Sequence, residues 1–179
     1  MSETSGTQFN VAQLLKSPVG AVREYAVEAT VPSLAEDVRL VSAVVGKIRF
    51  TRLKSGILAQ GHFQVDIELT CDRCLGLFLQ PLEFDLEEQF APVIDVITGK
   101  WLEVEETDPA LLIDAHHILD LEEVFRQAIY VGLPMHPVCR SDCRGLCPYC
   151  GRDLNEGPCD CTKDETDPRW LALRNLKRE

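Results

Sequence analysis

Six of the eight cysteines in this chain fall within 23 residues, spaced Cys139-x3-Cys143-x3-Cys147-x2-Cys150-x8-Cys159-x-Cys161. The other two form Cys71-Asp72-Arg73-Cys74, far upstream. Thiolates at such spacings bind soft or borderline metal ions, and eight of them complete two four-sulfur tetrahedra with none left over. Cys147-Pro148-Tyr149-Cys150-Gly151 is a zinc-knuckle sequence. Two thiolates separated by two residues reach one ion from a tight turn, and Gly151 supplies the backbone freedom that turn needs. Asn155-Glu156-Gly157-Pro158 is a second turn that returns Cys159 and Cys161 to the same ion. Cys139 and Cys143 then pair with Cys71 and Cys74 on another. The alternative is one zinc on the C-terminal six, with Cys71 and Cys74 free. An all-sulfur site has no open coordination position, so either arrangement is structural rather than catalytic. Four cysteines also suit an iron–sulfur cluster, although the ferredoxin run Cys-x2-Cys-x2-Cys is absent.

The redox setting governs how thiols are read. Met1 to Gln8 is polar and lacks a basic region followed by an apolar run, and no stretch approaches the ~18 apolar residues of a membrane span. A reducing cytoplasm is expected, where metal thiolates outnumber disulfides; a disulfide framework belongs to a secreted context. Cys71-x2-Cys74 read alone suggests a redox pair with Arg73 favouring the thiolate. That chemistry needs a helix to start at the first cysteine, whereas Leu77 to Phe90 alternates like a strand. His136, three residues before Cys139, reads as a loop residue.

Other catalytic constellations are missing. The four histidines, His62, His116, His117 and His136, have no Ser/His/Asp or zinc-hydrolase motif around them, and there is no phosphate-binding glycine loop with a lysine. A Mg²⁺-dependent nuclease would draw on the acidic stretch, but its carboxylates have no diagnostic spacing. No enzymatic activity is expected.

The elements that must position the cysteines follow from periodicity. Phe63, Val65, Ile67 and Leu69 alternate with polar residues, as do Leu82, Phe84 and Leu86. Strands are predicted over 24–31, 38–50, 56–70 and 76–90, with a hairpin turn at Lys54-Ser55-Gly56. A short helix over 9–17 takes Asn10 as its N-cap and stops at Pro18. A second helix starts from Asp120 and Glu123, a capping-box pair, buries Leu121, Val124, Phe125, Ala128 and Ile129, and ends at Gly132 and Pro134. Asp167-Pro168 opens a third, carrying Trp170, Leu171, Leu173 and Leu176 among basic residues. The fold class is α+β: an antiparallel β-sheet, as a sandwich or partly open barrel, with flanking short helices and a cysteine-rich zinc-binding C-terminal segment. The boundaries are an N-terminal arm with a short helix over 1–20, a sheet-plus-helix core over 21–135, a zinc segment over 136–162 and a basic helix over 163–179.

The order of these motifs carries a resemblance. A strand ends in Thr70-Cys71-Asp72-Arg73-Cys74-Leu75. Then come Asp120-Leu121-Glu122-Glu123, Leu133-Pro134, the block Gly145-Leu146-Cys147-Pro148-Tyr149-Cys150-Gly151-Arg152-Asp153-Leu154-Asn155, and Asp167-Pro168-Arg169-Trp170-Leu171. From about Leu14 to Leu176 the chain resembles the YceD-like family of large-subunit ribosomal RNA accumulation proteins. The resemblance implies a bacterial or plastid-type cytoplasmic protein acting in ribosome assembly or RNA processing. It brings no catalytic residues.

Charge divides the mechanism. The net charge is −11. Between Glu83 and Glu123 thirteen acidic residues face one basic residue, Lys100. Arg39, Lys47, Arg49, Arg52, Lys54 and Arg73 gather in the strand region, Arg140, Arg144 and Arg152 around the cysteines, and Arg169, Arg174, Lys177 and Arg178 in the tail. Two mechanisms follow: the basic groups contact large-subunit ribosomal RNA or its precursor, or the acidic surface holds a basic ribosomal protein or assembly factor. A zinc-stabilised acidic adaptor unrelated to RNA is the reading that needs no ribosome.

Overall fold

The computed structural model describes residues 3–32, 38–104 and 108–161; the expected tail helix, with Arg169, Arg174, Lys177 and Arg178, lies outside the described residues. The strands are β1 (Glu3–Ser5), β2 (Gln8–Asn10), β3 (Val22–Ala29), β4 (Arg39–Leu40), β5 (Val44–Arg52), β6 (Ile57–Thr70), β7 (Leu77–Pro92), β8 (Leu112–Ile113) and β9 (Ile118–Asp120). Among the described residues two α-helices accompany them, α1 (Ala12–Leu15) and α2 (Glu122–Gly132), with a 3-10 turn over Pro109–Leu111.

A seven-stranded sheet runs β1-β3-β5-β6-β7-β8, with β4 alongside β6. Its centre is the meander β3–β5–β6–β7, antiparallel throughout, as the alternation requires. The outermost pairings, β1–β3 and β7–β8, are parallel, so the sheet is mixed rather than wholly antiparallel. The other layer is not the second sheet of a sandwich. The short antiparallel ladder β2–β9 and the two helices close the core instead. The segment 38–50 divides into β4 and β5, because Val41 to Ala43 leaves the ladder: the Val41 N–H donates to the Asp66 carbonyl and the Ser42 hydroxyl accepts from the Asp66 N–H. The Lys54-Ser55-Gly56 hairpin forms as expected, closed by the Leu53 N–H on the Gly56 carbonyl at 2.9 Å.

The β6–β7 register runs unbroken from Ile57 opposite Phe90 to Thr70 opposite Leu77. Odd residues of β6 and even residues of β7 therefore share one face. Ile57, Ala59, Phe63, Val65, Ile67 and Leu69 are buried there, with Phe84, Leu86 and Phe90. Phe63 lies where an added Cβ on Gly46 of β5 or Gly61 of β6 would strike its ring, so those glycines make room for it over its own strand and the next. Phe125 of α2 stands edge-on to Phe63 at 4.7 Å and to Phe84 at 6.0 Å. A second aromatic group joins Phe9 of β2 to Tyr25 and Phe50 at 5.4 and 5.2 Å. Phe9, Val11, Leu14 and Leu15 belong to the same core as the sheet.

The helix starts differ from the expected pattern in detail. Asn10 accepts from the Ala12 N–H at 3.1 Å while its own backbone pairs in β2, so α1 is shortened to a single turn. Asp120 Oδ1 accepts from the Glu122 N–H, but Glu123 does not reach back to complete a capping box. It binds the Arg126 guanidinium at 2.5 and 2.6 Å instead. Such a solvent-exposed helical pair is screened and contributes little, whereas burying one large apolar side chain adds about 1.5–3 kcal/mol. The apolar stripe, not the ion pair, anchors α2.

Phe125→Ala should therefore cost about 3–5 kcal/mol in chemical denaturation, far more than Glu123→Gln. The Glu123 effect should carry a pH signature. Hydrogen bonds from Arg126, then Gln127, hold its carboxyl down at about 2 against an ordinary 4.5. Its contribution is fully present above that ordinary value and disappears as pH falls towards 2. The gap in thermal midpoint between the native chain and Glu123→Gln should close over that window; a constant gap would exclude the ion pair as its cause.

Candidate metal centres and charged faces

The first cysteine quartet forms where the β6–β7 hairpin turns. The Cys71 N–H donates to the Gly76 carbonyl at 2.9 Å and the Leu75 N–H to the Cys71 carbonyl at 2.8 Å. Leu75 adopts a left-handed φ of 59° to complete the turn. The turn is also bonded to the distant cysteine block: the Asp72 N–H reaches the Pro137 carbonyl and the Leu146 N–H reaches the Arg73 carbonyl. Gly145 makes that approach possible, since its φ is 72° and a Cβ there would meet the Arg73 carbonyl oxygen at 2.8 Å. The Arg73 guanidinium donates to the Cys143 carbonyl at 2.9 Å. Two strand-turn thiols and two thiols from the block thus meet.

Cys71, Cys74, Cys139 and Cys143 bring their sulfurs within 4.8 Å of one another, and so do Cys147, Cys150, Cys159 and Cys161. This is the two-site partition read from the spacing. Cys71 Sγ lies 3.9 Å from Cys143 Sγ, and Cys74 Sγ lies 3.8 Å from Cys139 Sγ. A tetrahedron with metal–sulfur bonds of ~2.3 Å has sulfur–sulfur edges of about 3.8 Å, while a disulfide bond is about 2.05 Å. All eight cysteines are outside disulfides, and each quartet could hold a metal ion.

The second quartet is built on the knuckle. The Gly151 N–H donates to the Cys147 carbonyl at 2.9 Å, with Gly151 at a φ of 72°, as its place after the knuckle requires. The Cys147 N–H donates to the Arg152 carbonyl, and Leu146 pairs with Asp153. Asn155, in the loop between Cys150 and Cys159, reaches the first quartet. Its Nδ2 contacts Cys143 Sγ at 3.4 Å, while its Oδ1 accepts from the Arg144 N–H and from Arg140.

Electrostatics within each quartet favour a cation. Backbone N–H groups, that of Cys139 first, hold the Cys71 thiol down at about 6. Those of Cys150 and Tyr149 do the same for Cys147, also about 6. Cys139 is pushed up to about 12 by burial and by its sulfur neighbours. Cys161 is likewise raised to about 12, first by Cys150 and then by burial. Each quartet thus pairs a ready thiolate with a thiol that resists ionising beside it. A divalent ion removes that conflict.

No histidine belongs to either quartet. His136 Nδ1 contacts Asp72 Oδ2 at 3.1 Å. His116 and His117 occupy the turn between β8 and β9, organised by Asp114 Oδ1, which accepts from the N–H groups of His116 and Ile118. His62 lies on the outer face of β6, 2.8 Å from Asp85.

The expected basic cluster is dispersed. Lys54 and Arg73 occupy the turns at opposite ends of β6, a strand of 14 residues and so about 45 Å long. Arg39 pairs with Glu68 at 3.9 Å and Arg49 with Glu24 at 2.7 Å. Arg52 donates to the carbonyls of Leu15, Leu53 and Gly56, which staples α1 to the hairpin turn. Lys47 is exposed on β5. The acidic stretch is more orderly. Glu83, Asp85 and Glu87 are successive outward residues of β7, all exposed. Period-two spacing in the sequence carried that signal.

A family model described as "Large ribosomal RNA subunit accumulation protein YceD" matches residues 59–177. Among curated proteins, an uncharacterised protein of Mycobacterium tuberculosis is 33% identical over 126 residues, 70% of this chain and 58% of the relative. One of Mycobacterium leprae is 30% identical over 174 residues, 94% of this chain and 76% of the relative. The "Large ribosomal RNA subunit accumulation protein YCED homolog 1, chloroplastic" of Arabidopsis thaliana is 31% identical over 61 residues, 34% of this chain and 19% of that protein. The chain thus spans 58% of the length of the Mycobacterium tuberculosis relative. No solved structure matches it. The family match opens inside β6 and runs through both quartets, and with it the chain belongs to the YceD family of large ribosomal RNA subunit accumulation proteins.

Proposed function

We propose that this chain is a non-catalytic factor supporting accumulation of large-subunit ribosomal RNA, and that it acts by holding a basic ribosomal protein or assembly factor on its acidic face. The observation that carries this reading is the contrast in charge. Arg39 and Arg49 are paired and Arg52 and Arg73 donate to backbone carbonyls, while Glu83, Asp85 and Glu87 form an exposed row whose contacts are His62, at 4.0 Å from Glu83 and 2.8 Å from Asp85, and the neutral Gln60 amide, at 3.0 Å from Glu87. A net charge of −11 repels a phosphate backbone and attracts a basic protein. The carboxylates lie along a strand rather than around a point, which suits recognition better than metal-assisted cleavage.

The two quartets hold one zinc ion each in this reading, as structural centres. Their sulfurs are spaced for a single ion and leave no room for the inorganic core of an iron–sulfur cluster. The first ion clamps the hairpin turn to the cysteine block, and the second orders a segment with little apolar core of its own.

Purified chain should contain two zinc ions and eight masked thiols. Cys74→Ser and Cys161→Ser should each remove one ion. With free zinc about 1,000-fold above the dissociation constant, one site adds about 4 kcal/mol, so each variant should melt roughly 10 °C lower. Bound iron with labile sulfide would overturn the zinc assignment.

Partner choice is read by titrating the chain separately with a large-subunit RNA transcript and with basic large-subunit ribosomal proteins. Neutralising the row as Glu83→Gln, Asp85→Asn and Glu87→Gln should weaken protein binding about tenfold or more and flatten its salt dependence, whereas Lys47→Glu with Lys54→Glu should leave it intact. Salt-dependent RNA binding lost in the lysine variant would transfer the function to direct RNA contact.

A further inference from the structure

The parity of the β6–β7 ladder leaves one edge of β7 open. The Asp66 N–H and carbonyl both point to the β4–β5 side, bonded to Ser42 and Val41. Even residues of β6 therefore face that side, and odd ones face β7. The Cys71 N–H on the Gly76 carbonyl and the Leu53 N–H on the Gly56 carbonyl keep the same parity at both ends. In β7, then, the even residues bond to β6 and the odd residues turn their N–H and carbonyl groups outward. At the C-terminal end that outer edge is taken: β8 pairs at Ala91 and Pro92, and the Val93 N–H donates to the Ile113 carbonyl. From Leu77 to Gln89 no strand pairs with it among the described residues.

We infer that this open edge of β7 accepts an extended basic segment of the partner as an added strand, ending where β8 begins. The inference rests on the proposed capture of a basic protein and specifies how the segment is held. The same odd residues carry Glu83, Asp85 and Glu87 on the outer face, so an added strand would set alternate lysines or arginines beside this row. Its other face would extend the core next to Phe78 and Leu82, which are only partly buried while Phe84 and Leu86 are covered. The occupant is thus an amphipathic strand, basic outward and apolar inward.

Two features disfavour a second copy of this chain as the occupant. Edge-to-edge pairing would bring like carboxylates together. Pro81 also interrupts the donors: it has no N–H, and its carbonyl already accepts from Gln80 Nε2 at 3.2 Å. Donors remain on either side, at Leu77 and Leu79 and from Glu83 to Gln89. The same charges and proline that blunt an edge against itself leave it selective for a basic strand.

The test uses the unaltered full chain, so misfolding of a variant cannot confound it. The probe is a synthetic peptide of alternating lysine and valine, about ten residues long, the upper end of ordinary strand length. A second peptide has the same side chains on an N-methylated backbone. Amide exchange is followed by NMR. The first peptide should slow exchange at Leu79, Glu83, Asp85 and Glu87 about tenfold or more, and the methylated one should bind about tenfold more weakly without protecting them. Equal binding of both peptides, with the odd amides unprotected, would overturn strand addition and leave the acidic-face reading standing. Binding by neither would overturn both. Protection already present in the free chain would mean the edge is occupied, by a second copy if it grows with protein concentration, and would overturn the inference. Protection of these amides by a large-subunit RNA transcript in place of the peptide would also overturn it, in favour of RNA.

Discussion

Fourteen residues of β6 face fourteen of β7 in one uninterrupted register, and most of the molecule is arranged by it. A slip of one residue would turn every side chain of one strand to the opposite face. Phe63, Val65 and Ile67 would leave the core. Phe125 would lose the platform on which α2 sits, and Cys71 would no longer fall opposite the cysteine block. The register is held from inside by the Phe63–Phe84–Phe125 cluster and at its tip by the Cys71–Gly76 turn.

That tip is where two distant parts of the chain are joined. The cysteine block has no strand or helix of its own and buries little apolar surface; Cys143, Cys147 and their turns supply most of its order. Backbone hydrogen bonds from Asp72 and to Arg73 dock it on the hairpin, and the first quartet closes the joint. Asn155, in the loop between Cys150 and Cys159, bonds back to the first quartet through Cys143 and Arg144. In each quartet backbone N–H groups favour one thiolate while burial and the neighbouring sulfurs oppose another, and a divalent cation offsets that mutual repulsion.

Charge follows the pleat rather than the sequence. Along the chain the acidic stretch is a block of composition. In the fold, even residues of β7 go to the core and odd residues to solvent, so part of that block becomes a single row beside an open backbone edge. The cations of the strand region, Arg39 to Arg73, are scattered by the same geometry, and four of those six are drawn into local pairs or onto carbonyls.

The second quartet and the count of two fours could be read from the sequence, because Cys-x2-Cys needs only a turn; whether Cys71 and Cys74 join Cys139 and Cys143 or stay free was left open there, and the fold brings the four together. The four main strands were legible for a similar reason, since period-two burial is written residue by residue. The β2–β9 ladder, the break between β4 and β5, and the parallel outer pairings were not. Strands of two or three residues carry too few alternations to register, and their pairing is settled by what they pack on. The fate of each arginine was likewise a tertiary matter. Arg52 and Arg73 read as surface cations until the fold brings the carbonyls of Leu15 and Cys143 within reach. Residue type sets what a side chain can bind, but only the completed fold sets which partner is near enough to claim it.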